Sequence, residues 1–385
     1  MRRTVFDDDH ENFRKVLRAF IESEVMPSYQ KWFDNGIVPR DFYYKLADLG
    51  LFGIEVPEEY GGAGVKTFKY SAIESEETAR AAVSFGASGA HVALCLPYLL
   101  SIGTPEQLTA WMPGFISAET MYAIAMTEPG TGSDLAGMRT TATLSDDGEY
   151  YLLNGAKTFI TGGVHADRVI VCARTSPPLE NDRRFGISLL VVDARSQGYS
   201  VGRKLDKIGL RTSDTAELSF ANVKVPAFNL LGEENEGFSY LGKNLPRERL
   251  AIAFGAYAQA QAAVDFAKQY TKERQVFGTT VASFQNTKFE LAACQAKVDA
   301  AQAVADRALE ALDADELTPA EAASAKLFCT EVASEVIDRC LQLHGGYGYM
   351  NEFPIARLYS DNRVNRIYGG TSEVMKTIIA KNMGL

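Results

Sequence analysis

Apolar residues recur at three- and four-residue spacing over positions 8–25, 41–49, 67–82 and 92–100, a period that predicts amphipathic helices. Gly50, Gly53, Gly61, Gly62, Gly64 and Gly103 punctuate them. Beyond position 121 the period changes. Segments 150–153, 168–174, 187–192 and 216–225 are short, β-branched or alternating, and are split by Gly, Asp and Asn turns, which predicts strands. No helix-length segment separates these strands, so an antiparallel barrel or sandwich is expected rather than a parallel sheet. From about 231 helical spacing returns over 247–273, 280–313 and 318–343, followed by a shorter pair ending at Lys381. The expected fold class is α+β: a helical domain over 1–120, a middle antiparallel β-barrel or sandwich domain over 121–230, and a C-terminal helical domain over 231–385. No repeat or low-complexity linker interrupts them.

Two stretches stand out within the helical zones. In 244–253, Pro246 follows the polar Asn244 and precedes an apolar run, the usual opening of a helix. The run 251–267 carries almost no charge, so this helix is expected to be buried on most sides, with Glu248 and Arg249 in its first turn. The helix dipole would favour a carboxylate there, and the adjacent cation could anchor it. A surface ion pair at a helix start is the plainer explanation of these ten residues taken alone. The second stretch, 85–91, holds Gly86, Gly89 and Ala90. Glycines are costly inside a helix, so they serve either close helix packing or the floor of a ligand channel.

Charge and composition narrow the function. The net charge of -10 argues against nucleic acid or an anionic membrane surface as the main partner. No apolar run is long enough to span a bilayer. The N-terminus is acidic and lacks the apolar core of a secretory signal, so a cytoplasmic location is expected. The five cysteines form no C-x-x-C pair and read as reduced core thiols. The four histidines show no H-E-x-x-H spacing, so no metal site is expected.

Several motifs remain that carry chemistry. Ile124, Met126 and Thr127 run as a strand into a Gly-rich turn containing Gly132, Ser133 and Asp134. Freed backbone N–H groups in such a turn form an anion-binding concavity, and its hydroxyls can reach ring heteroatoms. No G-x-G-x-x-G opens a helix after a strand and no G-x-x-x-x-G-K-[ST] occurs, which disfavours a Rossmann or P-loop site. Phe159, Ile160 and Thr161 place an aromatic and a hydroxyl at the end of a second strand. Arg274 to Gly278, Gln342 to Gly346 and Tyr368 to Glu373 are helix edges with glycine and a polar reader, where backbone can approach a ligand closely. Each of these alone has a plain structural explanation: an ordinary turn, a surface charge, a helix stop.

In this order, and in these zones, the motifs resemble the acyl-CoA dehydrogenase family of flavoproteins. The resemblance covers essentially the whole chain and rests most firmly on Thr-Glu-Pro-Gly-x-Gly-Ser-Asp at 127–134 and Gln-x-x-Gly-Gly at 342–346. It implies a helical domain, a β-domain and a C-terminal four-helix bundle domain, assembled as a homotetramer (a dimer of dimers) with FAD as cofactor. By position, Ile124, Met126, Thr127, Gly132, Ser133, Phe159, Ile160 and Thr161 would hold the flavin ring and pyrophosphate. Thr371, Ser372 and Glu373 would close over FAD from the same subunit. Arg274, Phe277, Gln285, Gln342, Leu343, His344, Gly345 and Gly346 would reach it across a subunit contact. Ser133 would lie near the CoA arm, and Arg249 would anchor the substrate.

One position departs from the common family pattern. Many members carry a glutamate after the tyrosine of the last motif, where it removes the substrate's α-proton; here that position is Gly369. A minority, the long-chain and isovaleryl enzymes, carry the base at the position that corresponds to Glu248. The 202–218 and 231–238 stretches and Phe159 look closest to the long-chain branch. The resemblance then implies that Glu248 takes the α-proton, the Gly369 N–H helps hold the thioester oxygen, and a β-hydride passes to the flavin, giving trans-2-enoyl-CoA. Electrons would leave to an electron-transfer flavoprotein, in fatty-acid β-oxidation of medium to long chains. Burial should raise the Glu248 pKa and Arg249 should lower it; the sequence does not decide between them. A branched-chain dehydrogenase, an oxidase or monooxygenase on the same fold, and a non-catalytic acyl-CoA-binding flavoprotein stay open as alternatives.

Overall fold

A computed structural model describes residues 3–385. Asp7 caps α1 (Asp8–Phe20), its carboxylate accepting from the Asp9 and His10 N–H groups. The helix does not stop at Val25 as the spacing predicts. A π turn at Ile21–Val25 hands it on without a break to α2 (Met26–Asn35), which carries Pro27 just after the π turn and is ended by left-handed Gly36. Then come α3 (Arg40–Asp48) and α4 (Lys69–Arg80). The predicted helix over 92–100 opens instead as a π turn, Ala90–Cys95, before α5 (Leu96–Ile102). The sequence reading missed α6 (Pro105–Ile116), which Thr104 and Gln107 cap reciprocally. Together these helices bury Leu17, Phe42, Tyr98 and Trp111 in one core with Ile170, Cys172, Leu189 and Val191 of the sheet.

That sheet contains β1 (Tyr122–Ala125), β2 (Thr141–Leu144), β3 (Tyr150–Thr161), β4 (Arg168–Arg174), β5 (Ile187–Asp193), β6 (Tyr199–Lys204), β7 (Thr215–Pro226) and β8 (Leu230–Leu231). Its order is β6-β7-β3-β2-β4-β5-β8, with β1 beside β4. The purely antiparallel expectation is corrected here. β1 runs parallel to β4 from Tyr122↔Arg168 to Ala125↔Val171, and β2 meets β4 in parallel at Thr141↔Arg174. A parallel pair needs a long crossover. Between β1 and β4 that crossover consists of β2 and β3 themselves, so the lack of an intervening helix was misleading. β3 and β7 lose register between Lys157 and Ile160, a bulge that turns Phe159 outward with φ +60°.

The C-terminal part is built on α7 (Gly237–Glu273), α8 (Gln285–Asp313) and α9 (Pro319–Gln342), with α10 (Pro354–Asn362) and α11 (Ser372–Asn382) behind. A small hairpin, β9 (Gln275–Val276) and β10 (Thr279–Thr280), joins α7 to α8. Buried alanines, among them Ala256, Ala260 and Ala263 of α7 and Ala325 and Ala333 of α9, line the core of this bundle.

Pro246 does not open α7; it lies inside it. The ring removes one N–H from the helical ladder, but Gly237 is packed on the Ile187 carbonyl and Leu241 is buried, so tertiary contacts carry the helix through. Glu248 therefore sits in the interior of a long helix, beyond the reach of the N-terminal dipole.

Candidate active site

Glu248 and Arg249 are both buried, each 6% exposed. The two adjacent side chains diverge, as neighbours on a helix must. The Glu248 carboxylate accepts a 2.8 Å hydrogen bond from the Tyr98 hydroxyl of α5. The Arg249 Nε reaches the Gly369 carbonyl at 3.3 Å, and among the described residues no ion pair joins it to Glu248. The simple ion pair considered from the sequence is absent.

The opposed influences on Glu248 now have an order. Burial pushes its pKa up to about 7; the Tyr98 hydrogen bond and then the Arg249 charge pull the other way and do not win. The result is a carboxyl that exchanges a proton near neutral pH. Burial lowers the pKa of Arg249, which Glu248 partly restores.

Gly369 and Gly370 are both left-handed, at φ +64° and +98°. A Cβ on Gly369 would meet the Ile252 Cδ1 at 2.5 Å. Lys326 of α9, 1% exposed, donates to the Gly370 carbonyl at 2.5 Å. Burial lowers the Lys326 pKa to about 8, with the Arg249 charge adding to the effect. Thr371 follows and caps α11, its hydroxyl accepting from Val374 N–H at 3.4 Å, while the Ser372 hydroxyl is spent on Glu331 and Glu373 is exposed.

The strand-end residues converge as a second group. Thr158 N–H donates to the Thr127 carbonyl at 2.9 Å, tying the end of β1 to the end of β3. Ile124, Met126, Thr127 and Thr161 are half-buried and Ile160 is buried, whereas Gly132 and Ser133 are exposed. Phe159 is 68% exposed. A Cβ on Gly130 or Gly132 would meet nothing within 4 Å, so the turn is open to a ligand. A buried ion pair beneath fixes it: Lys157 Nζ lies 2.9 Å from Glu128 and 3.0 Å from the Met126 carbonyl, and the Arg139 and Thr140 N–H groups complete the Glu128 carboxylate.

A third group lies elsewhere. Arg274, Leu343, His344, Gly345 and Gly346 line a cavity of about 540 Å³, with His344 stacked 4.5 Å from Tyr270. Phe277 is 98% exposed, and Gln285 and Gln342 are exposed. At 1.5 Å per residue, Arg274 lies roughly 39 Å along α7 from Glu248. Within one chain these residues are therefore not brought to the Glu248 site.

Gly86 and Gly89 part company. A Cβ on Gly86 would meet the Tyr43 hydroxyl at 2.7 Å and Val38 at 2.9 Å, at φ +67°, so Gly86 serves packing. Gly89 is exposed, with nothing within 4 Å of its Cβ direction.

Tyr98, Lys326 and the Glu128–Lys157 pair were not singled out from the sequence. Tyr98 had no signal, because its partner lies 150 positions away. Lys326 had one: a lone cation on the buried alanine face of α9. Among the described residues no group of His, Cys, Asp and Glu is placed to hold a metal ion, and no helix is long and apolar enough to cross a membrane.

Three family models match consecutive parts of the chain: acyl-CoA dehydrogenase N-terminal domain over residues 7–119, middle domain over 123–223 and C-terminal domain over 235–384. The chain is 41% identical over 381 residues to the mitochondrial long-chain specific acyl-CoA dehydrogenase of Sus scrofa, covering 99% of this chain and 88% of that protein. It is 40% identical over 383 residues to a 3-(aryl)acrylate reductase of Clostridium sporogenes, covering 98% and 99%. The crystal structure of an acyl-CoA dehydrogenase from Geobacillus kaustophilus superposes with a TM-score of 0.95 at 44% identity over 99% of both chains. An acyl-CoA dehydrogenase complexed with FAD from Bacillus anthracis gives 0.90 at 31% identity, over 100% of this chain and 69% of that one. The chain belongs to the acyl-CoA dehydrogenase family.

Proposed function

We propose that this protein oxidises an acyl-CoA thioester to the trans-2-enoyl-CoA, with Glu248 as the base that removes the α-proton. The observation that carries this reading is the buried Glu248 carboxyl, held by Tyr98 and with its pKa raised to about 7 by desolvation, on the helix whose Arg249 and Ile252 meet the side-chain-free turn at Gly369. A base with a pKa near the working pH combines a useful deprotonated fraction with a useful proton affinity. Tyr98 orients the carboxylate and leaves its second oxygen for the substrate. The Gly369 N–H is the donor for the thioester oxygen, where negative charge develops as the proton leaves. Arg249, bonded to the Gly369 carbonyl, fixes that turn and adds positive charge beneath it.

FAD fits the residues present. The outward Phe159 offers a flat apolar face, and the 130–133 turn is open to a pyrophosphate. Bound there, FAD supplies the acceptor for the β-hydride. Thr371 and Glu373, which follow the Gly369–Gly370 turn directly in the chain at the start of α11, would close over the cofactor from the same subunit. The separation of Arg274, Phe277, Gln285 and Gln342 to Gly346 from Glu248 supports their serving the cofactor of a neighbouring subunit. A homotetramer built as a dimer of dimers accommodates this.

Medium- to long-chain substrates, used in β-oxidation, are the reading that the likeness to the long-chain specific enzyme of Sus scrofa supports, and a likeness to the caffeyl-CoA reductase-Etf complex subunit of Acetobacterium woodii supports an electron-transfer flavoprotein as partner. A second reading has support in the 40% identity to a Clostridium sporogenes reductase: the same carboxyl, protonated, would return a proton to the α-carbon of an enoyl substrate, with the hydride for its β-carbon supplied by FAD in its reduced form. Anaerobic titration of the yellow protein separates the readings. Bleaching by saturated acyl-CoAs of increasing length supports oxidation and reads the chain-length preference. A flavin that stays oxidised with every saturated thioester overturns it.

A further inference from the structure

We propose that Lys326 is a positioning residue for the thioester carbonyl: together with Arg249 it clamps the Gly369–Gly370 turn whose N–H faces the substrate. The inference rests on the reading of Gly369 given above.

The geometry consists of two cations on two successive carbonyls. Arg249 Nε donates to the Gly369 oxygen at 3.3 Å and Lys326 Nζ to the Gly370 oxygen at 2.5 Å. Both glycines are left-handed, a conformation that a flexible di-glycine leaves readily unless its peptide planes are held. The two hydrogen bonds fix the Gly369–Gly370 and Gly370–Thr371 peptide planes, and so anchor the C-terminal side of the peptide that carries the Gly369 N–H. Among the described residues neither Gly369 nor Gly370 N–H has a hydrogen-bond partner, so the turn presents donors while its acceptors are occupied. The Lys326 stem also underlies the turn, its Cε lying 3.7 Å from where a Gly369 Cβ would stand.

Burying an ammonium is expensive, and no carboxylate pairs with this one among the described residues. Lys326 shares its face of α9 with the buried Ala322, Ala323, Cys329, Thr330 and Ala333, where an apolar side chain would pack at no such cost. A cation there makes physical sense if its charge and its donor act on the turn. Both would favour the enolate-like oxygen over the neutral carbonyl, which raises α-proton acidity without tightening the ground state.

The test uses the FAD-loaded protein with Lys326→Met, which matches length but removes donor and charge, and Lys326→Gln, which keeps a donor only. A 3-thia-acyl-CoA serves as probe. Its α-proton is acidified, its bound anion absorbs at long wavelength by charge transfer with oxidised flavin, and no hydride leaves. In Lys326→Met the apparent pKa for forming that band should rise by about one or more, with probe affinity within threefold and flavin reduction by acyl-CoA slowed about 10- to 100-fold. Lys326→Gln should fall between. An unchanged probe pKa in either variant that retains FAD, or affinity falling while the pKa stays fixed, overturns the proposal and leaves Lys326 a structural support. That outcome is distinct from failure of the dehydrogenase reading, in which the unsubstituted protein itself is not reduced by any acyl-CoA.

Discussion

The Tyr98 hydroxyl donates a 2.8 Å hydrogen bond to the Glu248 carboxylate, joining α5 to α7 across 150 positions of sequence. The bond favours the ionised carboxylate, and its pull is weaker than the desolvation that raises the pKa. Burial therefore sets where the base titrates, and Tyr98 moderates it.

Tyr98→Phe should move the pH profile of flavin reduction to higher pH by roughly half to one unit, since an ordinary hydrogen bond to a charged group contributes about 1.5–3 kcal/mol and part of it is replaced by water. Reduction at pH 9 should stay within a few-fold of the parent protein. Stopped-flow reduction across pH 5.5 to 9.5 measures the shift; an unmoved profile would separate Tyr98 from the titrating group.

The same carboxyl makes stability depend on pH with a definite sign. Below the ordinary value of 4.5 it is protonated folded or unfolded, and costs nothing. Between 4.5 and about 7 the folded state holds a proton that the unfolded state has lost, so stability falls as pH rises; above 7 the penalty is constant, on the order of 3 kcal/mol. Glu248→Gln should then melt higher than the parent at pH 8, with the difference shrinking towards pH 5. Equal differences at both pH values would mean that the carboxyl is not shifted.

Much of this was legible in the chain. Helix and strand periods located α4, α8 and α9 and the four long strands, because each buries one regular face. The motif residues of the strand ends and of the 369–373 turn were legible as local patterns. What was hidden is non-local. Pro246 reads as a helix start unless one knows that Gly237 is pinned on Ile187, and the parallel β1–β4 pair reads as impossible unless β2 and β3 form the crossover. Tyr98 and Lys326 reach the site only because three helices meet there.

Gly86 and Gly89 should respond differently to substitution. Gly86→Ala forces a Cβ against Tyr43 and Val38 in a left-handed residue, and should destabilise by about 1–3 kcal/mol with chain-length preference unchanged. Gly89→Glu should fold normally and shift preference to shorter acyl chains, each excluded CH₂ forfeiting about 0.8 kcal/mol. Melting curves and relative kcat/KM over a series of acyl-CoAs decide it; an unaltered profile in Gly89→Glu removes Gly89 from the acyl channel.

Arg274→Ala should loosen FAD without disturbing Glu248, if the Arg274 cavity serves a neighbour's cofactor. Mixing it with a subunit that is intact at Arg274 but carries Glu248→Gln tests this directly. Hybrid oligomers should contain sites with intact Glu248 and a neighbour's intact Arg274, and so bind FAD tightly there and be reduced at those sites. No recovery in verified hybrids would place Arg274 on its own chain's cofactor.

The most direct measurement is anaerobic stopped-flow reduction of the FAD-loaded Glu248→Gln protein by a saturating acyl-CoA. Glutamine keeps the size of the side chain and can still accept from Tyr98, but cannot take the α-proton. Removing a general base costs on the order of a hundred- to ten-thousand-fold, and more where no water can replace it. Reduction should collapse by at least that range while FAD stays bound and acyl-CoA affinity changes little. Near-normal reduction would contradict the assignment of proton abstraction to Glu248.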